Sequence, residues 1–340
     1  MVAPKEIFIL RKVFLKGVKR PKVSVIILSW NRKDDTLETI NSLAKSNIRD
    51  FVLEIYVVDN GSTDGSEIAI KKLLAKIGSP PSLLTRMTEL NDNLGFAGGN
   101  NVGIRYALKH GADYVMILNN DTVVSPSLIV RTVELLQKNT RVGLVSPKIY
   151  FAKGFEFHKE RYKEKDKGRV IWYGGGKIDW DNVYGSGRGV DEVDNGQYDR
   201  MQETDFATGT CMFITRKALE EVGMFDEKYF MYYEDTDLSV RAKRAGFKVI
   251  YVPEAVVWHK VAQSSAIGSE LNDYFTARNR MLFGMKYASL RTKLALFRQS
   301  INLLLNGRKW EKIGIKDFYL GKFGKGSWPP AQRASGPEGK

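Results

Sequence analysis

The sequence predicts an α/β protein built on a mainly parallel sheet flanked by helices, and three observations predict it. Short, largely apolar runs recur through the first third of the chain: Val23-Ser-Val-Ile-Ile-Leu28, Ile55-Tyr-Val-Val58 and Tyr114-Val-Met-Ile-Leu118. Strands covered on both faces read as such continuous runs, not as alternating ones. Segments of helical period stand between them on short polar links, as parallel strands with right-handed crossovers require. Polar residues follow the strands at once: Asn31 after the first, Asp59 at the end of the second, Asp121 just past the fourth.

Taken in order, the first strand is Val23–Leu28. Asp34 and Asp35 then open a helix carrying Leu37, Ile40, Leu43 and Ala44, with its acids at the positive end of the helix dipole. The second strand, Ile55–Val58, leads into the polar stretch Asn60-Gly-Ser-Thr-Asp-Gly-Ser66 and a helix with Ile70, Leu73, Leu74 and Ile77. A weaker β/α unit covers Ser82 to His110. Within it, Asn93-Leu-Gly-Phe-Ala-Gly-Gly-Asn100 opens a helix through Ile104 and Leu108, and its glycines let backbone approach a ligand closely. The fourth strand is Tyr114–Leu118. Further on, Glu234-Asp-Thr-Asp237 begins a helix with Leu238, Ala242 and Ala245 that stops at Gly246, and Ala255-Val-Val-Trp258 is a short strand before His259.

Between Tyr150 and Gln202 the pattern is irregular. Tyr162–Gly168 reads as a charged, exposed loop and Gly185–Gly189 as a flexible one. Trp172, Tyr173, Trp180 and Tyr184 suit sugar stacking, core packing or an antiparallel hairpin equally. Past Arg280, Leu290, Leu294, Phe297, Ile301 and Leu304 recur at helical spacing with Arg291 and Arg298 off that face. Such a helix either packs on the main domain, the preferred expectation, or lies on an anionic membrane surface. Ile7, Leu10, Phe14 and Val18 suggest a similar helix at the N-terminus, and the tail from Ser327 reads as disordered.

Composition narrows the function classes. The 340 residues are 43% apolar, enough for a large core. A single cysteine, Cys211, excludes an internal disulfide framework and a Cys-built zinc site. Net charge is +14, concentrated at the flanks: seven basic residues against one acid from Met1 to Lys22, and seventeen against five from Arg241 to Lys325. That excess suits an anionic partner. No run reaches the roughly 18–20 apolar residues of a membrane span, and no signal-peptide core is present. The expectation is a cytoplasmic protein, peripheral on the inner face of the membrane if its basic helices bind lipid.

In open α/β sheets ligands bind outside the carboxyl ends of the strands, so Asn31, Asp59 and Asp121 converge on one crevice. Strand-end turns alone would also favour such residues. No Gly-x-Gly-x-x-Gly follows the first strand and no Walker A sequence is present. A nucleotide site without either needs another way to hold phosphate, and a divalent cation on carboxylate oxygens is the usual one.

Val23–Arg32, Val57-Val-Asp-Asn-Gly-Ser-Thr-Asp-Gly-Ser66, Asn93–Asn101, Leu118-Asn-Asn-Asp121 and Thr208-Gly-Thr-Cys-Met212 together resemble glycosyltransferase family 2. Gly223-Met-Phe-Asp226, Phe230-Met-Tyr-Tyr-Glu-Asp-Thr-Asp-Leu238, Trp258-His259 and Arg278-Asn279 continue the resemblance, in order, from Pro21 to Arg280. It is nearest the rhamnosyltransferase-like branch. The resemblance implies a GT-A fold and inverting transfer of a sugar from a nucleoside-diphosphate donor, dTDP-rhamnose or a UDP-sugar, to a hydroxyl of a glycan or lipid-linked acceptor. It implies that Asp59 contacts the base or ribose and that Asn31, Asn93 and Gly95 line the nucleotide crevice. Asp121 matches the last residue of the family's Asp-x-Asp motif, which holds Mn²⁺ or Mg²⁺ on the diphosphate, and His259 matches a late histidine near that metal. The first motif position is Asn119, which brings no charge. Asp235 matches the general base, with Glu234 and Asp237 in support. The organisation expected is a basic segment over 1–20, a catalytic domain over 21–260 (nucleotide half 21–122, acceptor half 123–260), a helical extension over 261–326 and a tail over 327–340. The rival readings are an inactive or non-enzymatic basic protein that binds nucleic acid or anionic membrane. Strand-end carboxylates would repel nucleic-acid phosphates, so no nucleic acid is expected as a partner.

Overall fold

The first strand is β1 (Lys22–Ser29), in which Val23, Val25, Ile26 and Ile27 are all fully buried, as a strand covered on both faces requires. The computed structural model describes residues 20–261 and 268–329. After β1 the chain alternates as its periodicity predicts: α1 (Lys33–Ala44), β2 (Val52–Asp59), α2 (Ser66–Ile77), β3 (Leu83–Glu89), α3 (Gly95–Lys109) and β4 (Tyr114–Asn119). A short β5 (Thr122–Val124), α4 (Leu128–Lys138) and β6 (Val142–Phe151) follow. The irregular middle holds β7 (Ile171–Tyr173), β8 (Gly176–Asp179), β9 (Tyr184–Gly187) and β10 (Gln202–Glu203). Then come β11 (Cys211–Thr215), α5 (Arg216–Val222), α6 (Glu234–Arg244), β12 (Lys248–His259), α7 (Glu270–Tyr287), α8 (Leu290–Asn306) and α9 (Lys309–Tyr319).

The main sheet runs β10-β12-β6-β11-β4-β1-β2-β3. β4, β1, β2 and β3 are mutually parallel, and β12 is parallel to β6. β11 is antiparallel to both β4 and β6 and joins the two parallel blocks, and β10, β5 and β7 pair antiparallel at the β12–β6 end. Two apolar layers cover the sheet. Val25 and Ile27 share one with Ile40, Ile70 and Ile129 of α1, α2 and α4; Ile26 shares the other with Ile104, Leu219 and Leu238 of α3, α5 and α6.

Close helix-to-sheet contact comes from glycine. A Cβ on Gly99 would stand 2.4 Å from Leu28 Cδ1, and one on Gly103 would stand 2.3 Å from Ile26 Cγ2. α3 therefore lies on β1 at a distance that no larger residue permits.

Four expectations change. Gly185–Gly187, expected as flexible loop, belong to β9, which pairs antiparallel with β8. Tyr162, expected in an exposed loop, is buried, and its hydroxyl donates to the Asp191 carbonyl at 2.8 Å and to Asp191 Oδ1 at 2.5 Å. Ser327, expected as the start of a loose tail, donates from its backbone N–H to Asp317 Oδ2 at 2.7 Å, and Trp328 packs on Trp310 with ring centroids 4.6 Å apart. The stripe Leu290, Leu294, Phe297 and Ile301, expected to pack on the domain, faces outward; Thr292, Leu296 and Ser300 face in. The N-terminal helix expected around Ile7–Val18 and the tail beyond Pro329 lie outside the described residues.

Candidate active site

Strand register assembles the crevice. Asp59 ends β2 opposite Ser29, and Asn119 ends β4 opposite Leu28, so the polar residues stand side by side at the carboxyl edge of the sheet. Asp59 is buried. Its Oδ1 accepts from the Ser62 backbone N–H at 3.2 Å and from the Ser62 hydroxyl. Burial pushes its pKa up; the Ser62 donors oppose this and the charges of Asp64 and Glu67 add to it.

Asn31 and Asn93 turn out to be braces. Asn31, in the left-handed region at φ 58°, donates its backbone N–H to Ser62 Oγ at 2.8 Å and accepts from the Thr63 N–H at 2.9 Å, tying the β1 turn to the β2 turn. Asn93 Oδ1 accepts from the Gly95 N–H at 2.8 Å and from Asn60 Nδ2 at 3.0 Å. Asn60, not singled out in the sequence, also accepts the Leu94 N–H at 2.9 Å. Gly95 has φ 74°, and a Cβ there would stand 2.5 Å from the Phe230 ring. It seats the start of α3 against the turn before α6, with the Ala97 N–H donating to the Phe230 carbonyl at 3.0 Å.

Asp121 and His259 are brought together by β5 and β12. His259 pairs opposite Thr122, and the Lys260 N–H donates to the Asp121 carbonyl at 2.8 Å. Both side chains are buried, with Asp121 Oδ1 3.1 Å from His259 Nε2. That approach lacks hydrogen-bond alignment, and neither Asp121 Oδ1 nor His259 Nδ1 has a hydrogen-bond partner. A buried carboxylate oxygen and imidazole left unsatisfied together fit a shared cation. Among the described residues no cluster of three or more His, Cys, Asp or Glu side chains could hold a metal.

Asp235 lies in the first turn of α6. Its Oδ2 accepts from the Gly209 N–H at 2.9 Å; its Oδ1 accepts from the Thr236 N–H at 2.6 Å and the Thr236 hydroxyl at 3.1 Å. The loop carrying Gly209 is tied to β4, since the Asn119 N–H donates to the Thr210 carbonyl at 3.0 Å. Burial raises the Asp235 pKa, partly offset by the Gly209 and Thr236 donors. Beside it, Glu234 is buried with Oε2 unpartnered; burial first, then the Asp235 charge, holds it well above the usual carboxylate range. Asp237 is the opposite case. Burial would raise its pKa, but the Arg241 guanidinium and bonds from Lys286, Arg241 and Tyr287 outweigh it and hold the carboxyl low.

A cleft of ≈ 680 Å³ opens at Asp235, walled by Trp172 and Tyr184 on one side and by Asn272, Arg280 and Leu303 of α7 and α8 on the other. Trp172 connects the two parts of the site: it lines this cleft and meets the His259 ring edge-on at 4.8 Å. The turn before Asp235 is strained, with Phe230, Tyr232 and Tyr233 at φ 65°, 68° and 74°. Asn279 of α7 holds it, donating from Nδ2 to the carbonyls of Tyr229 (2.9 Å), Met231 (2.7 Å) and Tyr232 (2.9 Å), while Arg278 Nη2 donates to the Tyr229 carbonyl at 2.9 Å. Gly209, Trp172 and the Arg278-Asn279 pair had no role in the sequence reading. Their motifs were visible, but their partners stand tens of residues away.

The fold and crevice define a GT-A glycosyltransferase. The family described as "Glycosyltransferase like family 2" matches residues 21–284, and the chain belongs to it. A low-salt glycan biosynthesis hexosyltransferase, Agl10, of Haloferax volcanii is 27% identical over 263 residues, 76% of this chain and 74% of that protein. An N-acetylglucosaminyl-diphospho-decaprenol L-rhamnosyltransferase of Mycobacterium tuberculosis is 26% identical, covering 63% of this chain and 68% of its own length. Among solved structures, the mannosyltransferase PcManGT of Pyrobaculum calidifontis, in complex with GDP-Man and Mn²⁺, superposes with a TM-score of 0.52 at 18% identity, over 89% of this chain and 75% of that one.

Proposed function

We propose that the protein is an inverting glycosyltransferase that moves a sugar from a nucleoside-diphosphate donor to a hydroxyl of a glycan or lipid-linked acceptor, with Asp235 as general base. The observation that carries this reading is Asp235 itself: a carboxylate fixed by three donors, raised in pKa by burial, and set at a cleft large enough for a sugar. A raised pKa makes the carboxylate a better proton acceptor at neutral pH than a free one. Asp235 takes the proton of the acceptor hydroxyl as its oxygen attacks the anomeric carbon, and the diphosphate leaves from the opposite face. One displacement inverts that carbon. Burial opposes ionisation of neighbouring Glu234, which favours Asp235 as the charged member of the pair.

Asp121 and His259 are the residues that would hold a divalent cation. With a carboxylate and an imidazole, Mn²⁺ suits the pair better than Mg²⁺, which prefers oxygen alone. Such an ion would stabilise the negative charge that develops on the leaving diphosphate. Asp59, at the carboxyl end of β2, would accept from the base or a ribose hydroxyl. The relatives' names supply the finer choice: one is a hexosyltransferase, another a rhamnosyltransferase on a decaprenyl-linked sugar, and the solved neighbour held GDP-Man. For this chain, dTDP-rhamnose and UDP-sugars are the donors to try first.

The test is Asp235→Asn, which keeps the shape and removes the base. Transfer should fall by about 10²–10⁴-fold, the usual contribution of a positioned base, with donor binding nearly intact. Transfer near the wild-type rate removes Asp235 from that role.

A further inference from the structure

Helix α8 has two apolar faces, and the protein covers one of them. The inner face carries Leu296, packed so closely that a Cβ on Gly284 of α7 would stand 2.3 Å from its Cδ1. The outer face carries Leu290, Leu294, Phe297, Ile301 and Leu305, which are 74%, 56%, 49%, 43% and 69% exposed. Spaced four, three, four and four residues apart, they form one stripe along a helix of about 25 Å. At 100° per residue, Arg291 and Arg298 fall on one long edge of the stripe and Lys293 on the other.

The surroundings are basic. Residues 290–329 contain nine Lys and Arg against two acids, Glu311 and Asp317. Glu311 offsets one of the basic residues, Arg308, and buried Asp317 accepts from Ser327 and Tyr274, so the excess of positive charge remains large. We propose that this face of α8 lies in the surface plane of an anionic lipid bilayer, with the stripe at the acyl boundary and Arg291, Lys293 and Arg298 on headgroup phosphates. A nucleic acid would use the charges and leave the stripe in water, and a second copy would set nine basic residues against nine. Only an anionic apolar phase satisfies both features. Among the described residues no helix is long and apolar enough to cross a membrane, so the contact is peripheral.

The inner face of the same helix lines the cleft at Asp235 through Leu296, Gln299, Ser300 and Leu303. A bilayer on the outer face therefore lies about one helix diameter, ~10 Å, from the acceptor cleft. That arrangement suits an acceptor carried by lipid, a corollary that rests on the proposed function; the bilayer contact does not.

The test is co-sedimentation of the full chain with phosphatidylcholine vesicles and with vesicles containing phosphatidylglycerol, at low and high salt. Two triple variants accompany it, L294Q/F297Q/I301Q and R291Q/K293Q/R298Q. Wild type should partition onto the anionic vesicles and release with salt. Each variant should bind at least about tenfold more weakly, given that one basic residue near an anionic surface contributes roughly fivefold. All three proteins should share one unfolding transition, because the substituted side chains are exposed. No binding by wild type, or equal binding by all three, overturns the proposal. So does a dimer in gel filtration that the apolar variant dissolves, which would make a second copy the occupant. D235N should bind vesicles as wild type does, so a failed transferase reading leaves this result intact.

Discussion

Glu234 and Asp235 are adjacent carboxylates in one buried turn, and their surroundings separate them. Asp235 is satisfied by Gly209 and Thr236, whereas Glu234 Oε2 has no partner, and burial raises the pKa of Glu234 well above the usual carboxylate range. This fixes a sign. A carboxyl whose folded pKa lies above its unfolded value of about 4.3 costs nothing below that value and destabilises increasingly as pH rises from it towards the folded pKa, above which the cost is constant. Glu234→Gln mimics the protonated form and removes that cost. Its melting temperature should equal that of wild type in acid and exceed it at neutral to alkaline pH, with transfer largely retained. A variant less stable than wild type at pH 8 would show that Glu234 is ionised and paired in the native protein. Asp235 gives the complementary pH effect on rate: the acid limb of kcat should lie above the value of about 3.9 expected for a free aspartate, since the base must ionise to act.

Among the elements, the one that most determines the site is the turn leading into α6. Left-handed conformations at Phe230, Tyr232 and Tyr233 cost about 1–2 kcal/mol each, and the turn persists because neighbouring elements over-determine it. α3 accepts it at Gly95, Phe275 of α7 stacks on Phe230 with centroids 5.1 Å apart, and Asn279 binds three of its carbonyls. Asn279→Ala leaves those carbonyls without their donor, and should cost about 1–3 kcal/mol in urea unfolding. Asp235 should also lose its alignment, so kcat should fall while the donor KM stays close to wild type. Loss of stability with an unchanged kcat would make Asn279 a purely structural clamp. None of this was legible in the sequence. The acids at the start of α6 were visible as a local pattern, but Asn279 acts on residues 47–50 positions away. Likewise the period of α8 defined an apolar stripe without saying which neighbour, if any, would cover it.

At the scale of the whole molecule, what the sequence reveals follows from which signals are local. The strands β1, β2 and β4 were legible because each is a continuous apolar run with a polar residue at or just after its end, and those residues do line the edge of the sheet. The antiparallel β11 was not legible, because Cys211–Thr215 reads the same in either direction, and only its pairing with β4 and β6 sets its orientation. Its position matters: it brings Gly209 to Asp235 and places the β6–β12 block, with His259, beside Asp121. The proposed donor site therefore draws on both parallel blocks, with Asp59 and Asp121 near the ends of β2 and β4 and His259 at the end of β12. Ligands that bind only the native state raise its stability by RT ln(1 + [L]/Kd), about 2.7 kcal/mol at a hundredfold excess over Kd. In a chain of this size that should appear as a rise in melting temperature of roughly 3–6 °C. Screening UDP, GDP, dTDP and CDP with and without Mn²⁺ should give one preferred base, with a larger shift when the metal is present. Asp121→Asn and His259→Ala should each abolish the metal-dependent part and keep the metal-free shift, since Asp59 still meets the nucleoside. An unaltered Mn²⁺ effect in both variants would move the cation away from this pair, and equal shifts for all four nucleotides would leave Asp59 without a part in reading the base.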